Sequence, residues 1–162
     1  MKLLLSGATL LLFFGLFGCS NDDSGGSVFC SSTQDAPSSI GDSSLTATIN
    51  AGAGPGFCQD PAGQYVGTFN SDLTYSLQYQ GANEQCLDTA GTYVYAANGN
   101  TGTITATQTS PEATTATLEL CVTNTEAVQG SIGYLGNYRL TAEGEEGNQT
   151  GDYDLDVPTP VI

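Results

Sequence analysis

Along most of its length the chain alternates apolar and polar side chains with a period of two, the pattern of strands that keep one face in a core and one in water. The clearest run is 73–80, where Leu73, Tyr75, Leu77 and Tyr79 share one face and Thr74, Ser76, Gln78 and Gln80 the other. Residues 45–49, 118–122, 138–140 and 153–157 repeat the pattern. Two further runs, 93–95 and 103–106, flank Asn98-Gly99-Asn100, the strongest hairpin signal in the chain, because tight hairpin turns need a positive φ. Asn70-Ser71-Asp72, Gly133, Gly136-Asn137, Gly144 and Gly147 read as the other turns. From Val28 onward no stretch carries the 3.6-residue period of an amphipathic helix. The expectation is an all-β fold, a single antiparallel meander of about eight or nine strands. Such a meander hides its edges by closing into a barrel or by folding into two packed sheets. Residues 28–162 are long enough for one domain with one core.

The first 18 residues follow another rule. Lys2 precedes an apolar stretch, 3–17, which is short of the roughly 20 residues of a membrane span and has the layout of a secretory signal. Its end, Leu16-Phe17-Gly18-Cys19, resembles the lipobox of bacterial lipoproteins, with Leu and Gly at their usual places and Phe17 a departure. The resemblance implies a signal peptide over 1–18 and a diacylglycerol thioether on Cys19. The following Ser20, in place of the Asp that favours inner-membrane retention in that family, implies the outer membrane, with the domain facing the periplasm or the cell surface. Residues 19–27, acidic and rich in Gly and Ser, read as a flexible tether.

Four further cysteines, Cys30, Cys58, Cys86 and Cys121, suit two disulfides in an exported chain, and three connectivities are open. Sequential pairing, Cys30 with Cys58 and Cys86 with Cys121, is the first expectation because it closes the shorter loops; reduced, buried thiols are the other reading. The stretch from Cys58 to Val66 returns 28 residues later from Cys86 to Val94, with Cys, Asp, Ala, Gly, Tyr and Val at equivalent places. It reads either as two turns that recruit the same residue types or as two matched loops at one rim.

Residues 64–108 are similar to the middle of small lipocalin-like domains of bacterial lipoproteins. The likeness rests on Gly67-Thr68-Phe69-Asn70, on Gly91-Thr92-Tyr93 and on the Thr-aliphatic run 103–107. The chain has no Trp, so the Gly-x-Trp of the first lipocalin strand is missing. The resemblance implies a lipocalin-like barrel ahead of a β-sandwich, and a small ligand.

Composition narrows the chemistry. There are 17 Asp+Glu against 2 Lys+Arg and no His, and loss of the leader leaves Arg139 as the single basic side chain. Such a chain does not neutralise a phosphate backbone, so nucleic acid is excluded as a partner. Without His there is no Ser-His-Asp triad and no His-ligated zinc. Asp152, Asp154 and Asp156 mimic the start of an EF-hand loop, but Val157 stands where that loop needs Gly. They read as a solvated acidic face, or as part of a looser Ca²⁺ site with Glu143, Glu145 or Glu146; neither a metal nor another cofactor is assigned. Tyr75, Tyr79, Tyr138 and Tyr153 alternate with polar residues and are the candidate ligand-binding residues, since their amphipathic rings suit a cavity wall as well as a core. The resulting expectation is an exported, lipid-anchored, non-catalytic binding module for a small apolar or amphipathic molecule. The competing reading is an envelope interaction or structural lipoprotein with a filled core. A cavity of about 300 Å³ or more at one rim separates the two.

Overall fold

A computed structural model describes residues 29–159. Cys19 and the segments 1–18 and 19–27 lie outside the described residues. Among these, eight strands run in order: β1 (Ser43–Ile49), β2 (Gln64–Phe69), β3 (Thr74–Gln80), β4 (Thr89–Asn98), β5 (Thr101–Ser110), β6 (Thr114–Val128), β7 (Ser131–Ala142) and β8 (Gln149–Pro158). Each pairs antiparallel with the next, and β8 returns to β1 through Leu45↔Leu155 and Ala47↔Tyr153. The meander is therefore a closed barrel, the expected alternative to a sandwich, in which each described strand has a neighbour on both sides.

The register carries one inward row around the wall. Leu45 faces Gly67, Gly67 faces Leu77, and further round Ile104, Leu118 and Leu140 stand side by side. Leu45, Phe69, Ile104, Leu120, Tyr138 and Leu155 are almost wholly buried and pack as one cluster. Phe69 meets the Tyr93 ring edge-on at 5.0 Å, the geometry that aromatic quadrupoles favour.

One end of the barrel is sealed by the segment that leads into β1. Phe29 lies under the Arg139 guanidinium at 4.8 Å, and Arg139 in turn pairs with Glu119, its cross-strand neighbour, at 2.6 Å. Cys30 is bonded to Cys121 of β6, the Ala36 amide donates to the Gly99 carbonyl (2.8 Å), and the Tyr95 hydroxyl donates to the Pro37 carbonyl (2.7 Å). Ile40 then enters the core at 1% exposure, as a plug.

Three expectations change. The disulfides are Cys30–Cys121 and Cys58–Cys86, not the sequential pairs. Loop length misleads here because a meander brings alternate loops to the same rim, so the β1–β2 and β3–β4 loops become neighbours whatever their separation along the chain. Leu73 does not begin a strand: it sits at φ +65°, half exposed, closing the Asn70 turn by donating its amide to the Asn70 carbonyl at 3.0 Å. Gly133 and Gly136-Asn137 are not turns but lie within β7, whose turn from β6 comes at Gly130 (φ +81°). Gly136 faces Val122 beside a bulge in β6, and a Cβ there would run into the Cys121 carbonyl. Its absent side chain serves close strand approach, not a reversal. The Asn98-Gly99 hairpin stands as read, with Gly99 at φ +56°.

Candidate functional site

The opposite end of the barrel is open. There the β1–β2, β3–β4, β5–β6 and β7–β8 loops gather around a cavity of about 680 Å³. Phe69 and Tyr75 form its lower part, Tyr65, Leu77, Ile104, Leu118 and Leu140 its walls, and Phe57 and Leu87 its rim. The void has a local cause. Ala106, Ala116 and Ala142 are cross-strand neighbours on β5, β6 and β7, so three adjacent inward positions carry only a methyl group. One layer deeper the same strands carry Ile104, Leu118 and Leu140, which reach further in.

A few polar groups interrupt the apolar lining. Gln149, 2% exposed at the start of β8, donates its Nε2 to the Tyr138 hydroxyl at 2.9 Å while facing the cavity. That bond uses one donor of the carboxamide. Its carbonyl oxygen is a further acceptor and its second N–H a further donor. Gln108 donates to the Glu112 carbonyl (2.9 Å) and so holds the β5–β6 turn at the mouth. Burial raises the Tyr75 phenol above its usual range and pushes those of Tyr65 and Tyr138 up to about 12. All three are neutral hydroxyls at physiological pH.

The rim is fastened by the two halves of the internal repeat. Their cysteines, Cys58 and Cys86, are bonded to each other with Cα atoms 5.1 Å apart. Their aspartates converge on one tyrosine: Asp88 accepts from the Tyr79 amide (2.8 Å) and Asp60 from the Tyr79 hydroxyl. Asp60 also accepts from the Ala82 amide at 3.1 Å, and the Tyr79 bond leads in holding its carboxyl below the usual range. The two halves of the repeat thus meet at one rim, where their aspartates take different roles. β3 and β4 pair only from Thr74 to Leu77, and Asp88 takes over where that ladder stops.

The four candidate tyrosines have different places. All stand on the inward row of the register, but only Tyr75 lines the cavity. Tyr79 belongs to the rim clamp, Tyr138 positions Gln149 from below, and Tyr153 is buried deeper with a hydroxyl that has no partner among the described residues. Sequence reasoning missed Gln149, whose polarity reads as solvent-facing, and the alanine row, because small residues at inward positions look like ordinary alternation. Asp152 and Asp154 project outward, Asp152 accepting from the Asn137 side chain at 2.6 Å. Burial first, then Asp156 and Glu126, raise the Asp154 carboxyl. Among the described residues no group of three or more His, Cys, Asp or Glu is placed to hold a metal ion.

No protein-family model and no curated protein matches the chain. Among solved structures, the crystal structure of a rhizavidin–biotin complex is similar at 17% identity and a TM-score of 0.34, over 76% of this chain and 100% of that one. At that level of likeness the barrel rests on its own register.

Proposed function

We propose that this protein is an exported, lipid-anchored binding module, non-catalytic, that takes one small apolar or amphipathic molecule into the open end of its barrel. The observation that carries the reading is the cavity: about 680 Å³, apolar-walled, closed below and open at one mouth, within the range of small-molecule sites. A filled-core interaction module would have no reason to hold three alanines at one level of the wall. Cys19 would supply the membrane anchor, placing the domain on the outer membrane, and Cys19→Ser is then expected to release the protein into the soluble fraction.

Binding is tested with a neutral fluorescent probe, N-phenyl-1-naphthylamine. Its emission should rise on binding the wild type, saturate at one site, and be lost in Ala116→Phe and Ala106→Phe, which fill the void without touching the rim. Unchanged binding in both variants, with native circular dichroism, would place the probe elsewhere and contradict the reading.

A further inference from the structure

The charge around the mouth points to a class of ligand. Glu112, in the β5–β6 turn, and Glu145, in the β7–β8 turn, both line the cavity entrance. Their turns are held in place: Gln108 bonds the Glu112 carbonyl, and Glu145 lies against Gly56 so closely that a Cβ there would collide with its carboxylate. Arg139 is the one basic side chain among the described residues, and it is committed to the outer wall between Glu119 and Phe29. An anionic head entering this cavity would leave water for a site with no cation to receive it and two carboxylates at its door. A cationic head held at the mouth meets the opposite situation, with its apolar body beside Leu77, Ile104 and Leu118. The low-dielectric barrel and the net charge of −15 add to that bias.

We infer that the cavity selects amphiphiles by head-group charge, taking a lipophilic ammonium cation with its apolar body inside and its charge between Glu112 and Glu145, and rejecting the carboxylate of the same chain. This rests on the cavity being a ligand site, and the test keeps the two apart. N-phenyl-1-naphthylamine is displaced by decyltrimethylammonium and decanoate, each below its micelle concentration, and by decan-1-ol below its solubility limit. The cation should displace it at least about tenfold more effectively than decanoate, with the alcohol between, a contrast modest beside the Coulomb energy of one partly desolvated pair. In Glu112→Gln/Glu145→Gln the cation and the alcohol should displace the probe equally well, each compared with the probe's own affinity for that variant.

Failure of the probe to bind at all would overturn the cavity reading itself. Probe binding with decanoate as good a competitor as the cation would overturn only the charge selection. A preference for the cation that survives in the double glutamine variant would overturn its assignment to these two residues. To separate the site from the acidic exterior, cation binding is measured directly by calorimetry in Ala116→Phe: its loss supports the cavity, and its persistence at wild-type strength identifies a surface effect and contradicts the inference.

Discussion

Tyr138 and Tyr153 bring the same phenol into the same barrel, and among the described residues only Tyr138 has a partner for it. The Tyr138 hydroxyl accepts from Gln149; that of Tyr153 is buried with none among the described residues. An unmade bond in a core contributes no stability, whereas removing one member of a made bond strands the other at about 1–3 kcal/mol. Tyr153→Phe should therefore leave the unfolding free energy within about 0.5 kcal/mol of wild type or raise it, and Gln149→Leu should lower it by about 1–3 kcal/mol. Urea titration of both variants checks the contrast, and equal losses would mean that Tyr153 has a partner. The phenols also set a pH limit. Burial pushes Tyr65 and Tyr138 up to about 12, above the ordinary value of 10.0. Between those values the unfolded chain gives up protons that the folded chain keeps, so stability is full below about pH 10 and falls as pH rises toward 12. Absorbance of tyrosinate followed alongside circular dichroism should show these two ionising only as the barrel opens. Alternation made the inward tyrosines legible, since a period of two needs no tertiary knowledge. Gln149 stayed hidden because a polar residue after a Gly-rich turn looks like more turn.

Among the elements, strands were more legible than their connections. The hairpin at Gly99 follows from local backbone chemistry, but Leu73 left its strand because the Asn70 turn claims it, and Gly136 stayed in its strand because Cys121 presses on it. The disulfides were the least legible, since pairing depends on which loops share a rim. Their separations, 91 residues for Cys30–Cys121 and 28 for Cys58–Cys86, imply different weights. By chain entropy the longer loop contributes roughly 4.5 kcal/mol and the shorter roughly 3.5 kcal/mol. Cys30→Ala/Cys121→Ala should accordingly lower the melting temperature more than Cys58→Ala/Cys86→Ala. The first frees the strap that plugs the barrel; the second loosens only the mouth. The reverse order in thermal melts would mean that the strap adds little to the closed end.

For the whole molecule, the barrel was foreseeable, and a hollow stood as the first of two expectations beside a filled core, with nothing in the sequence to place it. Closure follows from a meander that must protect its edges. The void follows from a sum over neighbours: Ala106, Ala116 and Ala142 are unremarkable in three separate strands and matter only when the register sets them side by side. Charge acts at the same scale. The acids cover turns and outward faces, the single arginine is spent holding the strap, and the cavity wall is left neutral, so under the proposed binding role selection of a ligand would fall to shape, a few hydrogen bonds and two glutamates at the mouth. The most direct measurement is native mass spectrometry of the full chain, purified from its own host without denaturant, beside Ala116→Phe prepared in the same way. The wild type is expected to carry the added mass of one small organic molecule that collisional activation releases, and the filled variant to lack it. A wild type with no such molecule, its mass the same as that of the variant apart from the substitution, would contradict the claim that this barrel is built to be occupied.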